Sequence, residues 1–182
     1  MSRICHIVQS YYPRDPRIRR QAEALVEAGF AVDVVCLRGP GQKSSERVNE
    51  VGVTRVPLSR QRGGALRYLW EYTAFFLMAS AVAAARARRY RVVHVSNMPD
   101  SLVFAALVPK LLGAAVLLDE HDPFPELLMS KYGLPSEHWA VNAVRWLEKR
   151  SLRFSHHVLT TTRALRDHYQ KVCGAVPVSV VM

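Results

Sequence analysis

Apolar residues fall along this chain in short runs separated by longer amphipathic stretches. Residues 4–8, 31–37, 53–58, 92–96, 115–118, 158–161 and 176–181 are rich in Val, Ile and Leu. Runs that short, bounded by Gly, Pro and polar residues, predict strands, most of them covered on both faces. Helical stretches lie between them. The first opens at Pro16 behind Asp15 and runs to about residue 28, with Ala22, Leu25 and Val26 toward the core and Gly29 as its stop. A long helix follows Gly63 and Gly64, from about residue 65 to 89. Others cover about 99–112, the stretch from Pro123 and Pro125 to Tyr132 and Gly133, the stretch from Pro135 and Ser136 to about Phe154, and 163–172. Residues 39–50 carry Gly, Pro, Ser and charge without periodicity and predict an exposed loop. Strands alternating with helices predict an α/β fold, a doubly wound parallel sheet with helices on both faces. The 182 residues suffice for one domain with its own core. The chain ends at Met182 inside a predicted strand, as expected of a piece of something longer.

Charge adds a partner class to this picture. There are 25 Lys+Arg against 15 Asp+Glu, a net charge of +10, which suits an anionic partner. No helix-turn-helix, zinc-finger spacing or RNA-binding aromatic signature is present, so nucleic acid is not expected. Residues 72–85 are uncharged and rich in Ala, Phe and Leu. A bilayer span needs about 20 apolar residues, so this stretch predicts a packed or interfacial helix. Its basic neighbours Arg60, Arg62 and Arg67 suit an anionic membrane surface. Cys5, Cys36 and Cys173 form no Cys-x-x-Cys pair and read as reduced thiols. With no signal peptide pattern at the N-terminus, the expected location is cytoplasmic, peripheral at the inner face of the membrane.

Candidate chemistry centres on residues 115–126, where a buried strand gives way to Asp119, Glu120, His121 and Asp122 in a proline-fixed loop. The carboxyl ends of strands hold the ligand crevice in an open α/β sheet. Imidazole exchanges protons near neutral pH, and a nearby carboxylate orients it. With strand order 3-2-1-4-5, three loops flank one crevice. The first supplies Tyr11, Tyr12, Arg14, Asp15 and Arg17; the second Asn97, Met98, Pro99 and Asp100; the third His121 and Asp122. Arg14, Arg17, Arg19 and Arg20 sit at a helix N-terminus, where cations oppose the dipole and an anion compensates. Asn97 also suits a helix cap and Asp100 a first-turn acid. His156 and His157 read as structural. No His/Cys/Asp grouping has metal-ligand spacing. Neither the dinucleotide fingerprint Gly-x-Gly-x-x-Gly nor the phosphate loop Gly-x-x-x-x-Gly-Lys-Ser/Thr occurs.

These residues together resemble the N-terminal, acceptor-side domain of a GT-B glycosyltransferase, family 4 in particular. The resemblance rests on Tyr12-Pro-Arg-Asp-Pro-Arg17, on Ala31-Val-Asp-Val-Val-Cys-Leu37, and on Val92-Val-His-Val-Ser-Asn-Met-Pro-Asp100. It continues in Asp119-Glu-His-Asp-Pro-Phe-Pro-Glu126 and Val158-Leu-Thr-Thr-Thr162. It implies a Rossmann-like doubly wound sheet, the N-terminal half of a GT-B architecture, over residues 1–182. It implies transfer of a hexosyl-type sugar from a nucleotide-sugar to an acceptor, with retention and without a required metal or other cofactor. His121 matches the acceptor-site histidine, the expected catalytic residue. Asn97, Asp100, Asp122 and Glu126 are the expected acceptor contacts. The first loop lacks the family's glycine pair, and Arg14 and Arg17 are the expected substitutes at the donor phosphate. The acceptor is expected to be a sugar, a lipid-linked sugar or a small molecule. The family's nucleotide-binding domain carries two glutamates eight positions apart. No such pair occurs here, so most of the donor site is expected elsewhere and this chain alone is expected to be inactive. The alternative is a non-catalytic acceptor-binding, membrane-recruiting subunit of a split enzyme.

Overall fold

The structure is a computed structural model that describes residues 1–59, 64–97 and 99–181. Arg60, Arg62, Gly63, Met98 and Met182, used in the sequence reading, lie outside the described residues. The chain divides into two compact units, Met1–Val95 with Ala105–Ala115, and Ser96–Phe104 with Val116–Met182.

The first unit is built on β1 (Arg3–Ile7), β2 (Ala31–Leu37), β3 (Ser45–Val48), β4 (Val51–Val56) and β5 (Val92–Ser96), in the order β3-β4-β2-β1-β5. β4, β2, β1 and β5 are parallel, which is the 3-2-1-4 part of the expected order. The pleat of β2 sorts its residues to two faces. Val32, Val34 and Cys36 join Val51 and Val53 in a core with Ile18 and Ala22 of α1 (Pro16–Glu27), against which Leu25 and Val26 also pack. Asp15 caps α1 by accepting from the Arg17 backbone N–H at 3.1 Å, and Pro16 fills the first helical position. α2 (Ala65–Ala85) packs on β2 and β4. The Arg86 guanidinium just past α2 reaches Thr54 Oγ1 at 3.0 Å, on the other face of β4. Phe75, Ala79 and Ala83, four residues apart, form the buried stripe of α2.

Residues 39–50 are not a simple loop. β3 runs antiparallel to β4, joined through Asn49 and Glu50 at φ 50° and 62°. Two successive positive φ values make the tight hairpin turn that Asn-Gly usually marks. Glu in place of Gly hides it, and the strand's alternate exposure is that of a polar edge. Arg55 holds the hairpin from inside. Its buried guanidinium donates to Glu46 Oε1 at 2.6 Å, the Lys43 carbonyl at 3.1 Å and the Tyr12 carbonyl at 3.3 Å.

Residues 100–112 are not one α-helix either. Asp100–Ala106 is a 3₁₀ turn, and α3 (Leu107–Leu111) follows. Pro109 is the reason: its ring would clash with the carbonyl four residues earlier in a continuous α-helix, and it is tolerated in the first turn of a new one.

The second unit carries β6 (Ala115–Glu120), β7 (His157–Thr160) and β8 (Val178–Val180), parallel in that order. Its helices are α4 (Phe124–Tyr132), ended by Gly133 at φ 63°, α5 (Trp139–Phe154) and α6 (Arg163–Cys173). α5 starts three residues later than Ser136 suggests, because His138 is the cap and accepts from the Ala140 N–H at 3.2 Å. His156 Nδ1 accepts from the Val116 N–H at 2.9 Å, and His157 Nε2 lies 2.9 Å from Ser179 Oγ. Both histidines have the structural role expected of them.

Candidate functional site

β6 is two residues longer than its apolar run, so Asp119 and Glu120 are strand residues. The pleat sends alternate side chains to opposite faces and returns to the first face at His121. Asp119 Oδ2 lies 3.3 Å from His121 Nε2, with the carboxylate buried and the imidazole about a fifth exposed, at 21%. The carboxylate that orients His121 is therefore Asp119, two residues back, rather than an immediate neighbour. An acceptor at Nε2 favours the proton there and puts the basic lone pair on Nδ1.

Asn97 ties the neighbouring loops together. Its backbone N–H donates to the Asp119 carbonyl at 2.9 Å, and its Nδ2 donates to Glu120 Oε2 and, at 3.4 Å, to the Asp122 carbonyl. It serves as a brace rather than a helix cap. Asp122 is exposed beside it, and Glu126 is exposed in the first turn of α4.

Behind this rim lies a buried group of acids. Asp100 and Glu120 are each 1% exposed and Glu148 of α5 is 3% exposed. Both Asp100 oxygens, Glu120 Oε1, Glu148 Oε1 and the Tyr169 hydroxyl find no hydrogen-bond partner among the described residues. Burial pushes the Asp100 carboxyl up to about 6. Glu120 is driven well above the carboxylate range by burial, then by Asp100, Glu148 and Asp119, against the Asn97 hydrogen bond. Burial, Asp100 and Glu126 raise Glu148 to about 8. Tyr169 is raised by burial and by the same acids, Glu120, Glu148, Asp100 and Glu126. Glu120 and Glu148 in such surroundings hold their protons at neutral pH, whereas Asp100, at about 6, has largely released its own. Asp100 is a first-turn acid by position but not a solvated one.

Five of the expected site residues, Asn97, Asp100, His121, Asp122 and Glu126, thus fall in the second unit. Arg14 and Arg17 belong to the first. Arg14 is exposed, while Arg17 forks onto Asp15 at 3.1 and 3.3 Å. The anion that this helix start calls for is supplied in part by Asp15 itself. Sequence reasoning missed Glu148, Tyr169 and the buried role of Glu120. A signal existed for Glu148: it shares a face of α5 with Val141 and Leu152, both fully buried, so an acid stands on an apolar stripe.

Residues 15–182 match the family model described as "Glycosyl transferase 4-like domain". The chain belongs to that family. No curated protein sequence matches this glycosyl transferase 4-like domain. Among solved structures it is similar to sucrose-phosphate synthase from Thermosynechococcus elongatus, at TM-score 0.66 and 19% identity over 100% of this chain and 48% of that one. It is similar to a UGT transferase from Siraitia grosvenorii in complex with UDP, at 0.60 and 13%, over 100% and 51%. Phytolacca americana UGT2, complexed with UDP-2-fluoro-glucose and pterostilbene, gives 0.61 and 12%, over 99% and 53%. The domain spans about half the length of each. Its fold is that of the N-terminal half of a GT-B glycosyltransferase, Rossmann-like and doubly wound, as its sequence implied.

Proposed function

We propose that residues 1–182 act as the acceptor-side domain of an enzyme that moves a hexosyl-type sugar, with retention, from a nucleotide-sugar to an acceptor. The observation that carries this reading is the Asp119–His121 pair at the carboxyl end of β6, 3.3 Å apart and open on the histidine side. His121 holds the acceptor hydroxyl and takes its proton as that oxygen bonds to the sugar. Asp119 fixes the ring. Asp122 and Glu126, both exposed, hydrogen-bond the acceptor, a sugar, lipid-linked sugar or small molecule. Asn97 and buried Asp100 position the loops behind them. Arg14 and Arg17 face the donor phosphate, and the rest of the donor site belongs to a second domain. The UDP and UDP-2-fluoro-glucose of the matched structures support a nucleotide-sugar donor. The buried, unpaired Cys5, Cys36 and Cys173 suit a reducing cytoplasm.

The test is a transfer assay on the complete enzyme. His121→Ala is expected to lower turnover by about 10²-fold or more. Near-normal turnover in a folded variant would reduce His121 to a scaffold residue. Residues 1–182 alone are expected not to transfer sugar, since positioning donor and acceptor together accounts for about 7–11 kcal/mol of barrier reduction and needs both walls of a cleft.

A second reading, a membrane-recruiting subunit of a split enzyme, is favoured by one observation. Opposite its buried stripe, α2 exposes Leu69, Trp70, Leu77 and Met78, and α3, packed against α2, exposes Leu107, Val108, Leu111 and Leu112. Arg88 and Arg89 are exposed beyond the end of α2. Residues Arg67–Ala85 are long and apolar enough to cross a bilayer. The buried Phe75, Ala79 and Ala83 instead keep α2 on its sheet, and its outer face suits an anionic membrane surface. Docking of this kind serves either reading.

A further inference from the structure

Glu126, Glu148 and His168 come from three different helices, α4, α5 and α6, so no local spacing in the sequence links them. One ligand atom of each lies within 4.8 Å of the others. Zinc-class ions hold nitrogen and carboxylate oxygen at about 2.0–2.2 Å. Neighbouring ligand atoms then stand about 3–4 Å apart, a closure of up to about 2 Å shared among the three side chains, of which exposed Glu126 is the freest to change rotamer. A second observation points inward to a ligand. Glu148 is 97% buried by its 3% exposure, and its Oε1 has no hydrogen-bond partner among the described residues; neither has His168 Nε2, also buried as an atom. The surrounding field is acidic: Asp100, Glu120, Glu126 and Glu148 all act on Tyr169. Arg145, the cation that opposes them at Glu148, directs its guanidinium to the Ser136 carbonyl at 2.8 Å and to Met129 Sδ at 3.9 Å.

We propose that Glu126, Glu148 and His168 form a binding site for a divalent transition metal of the zinc class, which clamps α4 and α6 onto α5. Two carboxylates and an imidazole suit zinc better than magnesium or calcium, which prefer all-oxygen sets. The site shares Glu126 with the proposed acceptor contacts, leaves the His121 pair untouched and supplies no step of sugar transfer. Its role is to take the place of the proton on buried Glu148 and to fix α4, whose first turn ends the loop that carries His121.

The experiment strips the chain with a chelator, removes the chelator and titrates it with ZnCl₂ in a calorimeter at pH 7.5. One Zn²⁺ per chain is expected, with Glu126→Gln and Glu148→Gln each weakening it at least about 10-fold. Excess Mg²⁺ is expected not to compete. Because Glu126 is exposed, its variant keeps the fold and decides the matter even where Glu148→Gln does not fold. Co²⁺ in place of Zn²⁺ should give visible bands that change in the Glu126 variant. No Zn²⁺ binding by the wild-type chain would overturn the proposal. So would binding that Glu126→Gln leaves unchanged, since the metal would then sit on other histidines. Zinc binding is read directly, so its failure leaves the role of Glu126 toward an acceptor to the transfer assay.

Discussion

Asp15 shows how much one side chain can settle. It caps α1, accepts from Ser10 Oγ at 3.0 Å and takes the fork of Arg17. Burial disfavours its charge. The hydrogen bonds from Arg17 and Ser10 and the Arg17 charge outweigh that, and its carboxyl stays below the usual range. A depressed carboxyl adds stability above its unfolded value and loses it as pH falls through the folded one. Asp15→Ala is expected to cost about 1 kcal/mol at pH 7 and much less in acid well below the ordinary 3.8. Urea melts at the two pH values check this; an equal cost at both would mean that the charge is irrelevant. Glu120 runs the other way. Its raised value, with Asp100, Asp119, Glu148 and Tyr169 around it, means that its stabilisation is full below the ordinary 4.5 and is lost as pH rises toward the folded value. Glu120→Gln keeps the Asn97 hydrogen bond without the titration. It is expected to gain about 1–2 kcal/mol at pH 8 and little at pH 5, since each tenfold change in proton affinity between the folded and unfolded chain is worth about 1.4 kcal/mol. Thermal melts at both pH values, with chelator present, decide it; a loss at pH 8 would mean that Glu120 is charged in the fold.

At the scale of elements, the β3–β4 hairpin and the Pro109 break are where local pattern and tertiary need diverge. The hairpin depends on Arg55, whose side chain is 1% exposed against 33% for its partner Glu46. Removing one member of a buried pair leaves an uncompensated charge, typically worth about 3–5 kcal/mol when both are buried. With Glu46 partly in water, Glu46→Ala is expected to cost about 2 kcal/mol. Hydrogen exchange should show β3 opening before β4 in that variant, and unchanged melting would show the pair to be incidental. The edge strand was legible only in part. Three of its four residues are polar and Val48 alone packs on the core, so hydrophobic period carries almost no signal there. Gly52 of β4 tells a related story: a Cβ there would stand 2.5 Å from Asp33 Oδ1, whose carboxylate takes Arg3 at 3.0 and 3.1 Å. Glycine in that strand marks a close approach rather than a weak strand.

For the molecule as a whole, the net charge of +10 and the exposed apolar face of α2 and α3 point the same way. Arg67, expected to help, is paired with Glu71 at 3.1 Å, so exposed Arg88 and Arg89 are the better contributors, at about 1 kcal/mol each near an anionic surface. The chain is expected to co-sediment with vesicles rich in anionic lipid and to release in high salt. Trp70→Ser with Leu77→Ser is expected to weaken binding about 10-fold or more without lowering the melting temperature, because both side chains are exposed. Equal binding to neutral and anionic vesicles, or none at low salt, would count against membrane docking.

The sequence alone determined what depends on near neighbours. Short apolar runs gave the strands, the pattern Asp-Pro opened α1, and the glycines at 29 and 133 ended helices because both sit at positive φ. The order of elements then restricted the fold class, since parallel strands need helical crossovers. His121 was visible because it stands next to the end of an apolar run. What it pairs with was not, because the pleat joins residues two apart and passes over Glu120. The buried acids were hidden for a stronger reason. Asp100, Glu120 and Glu148 come from a 3₁₀ turn, a strand and a helix, and Glu126 and His168 from two further helices. A carboxyl's charge state depends on the water it loses and the charges it meets. Both are fixed only when distant segments pack together.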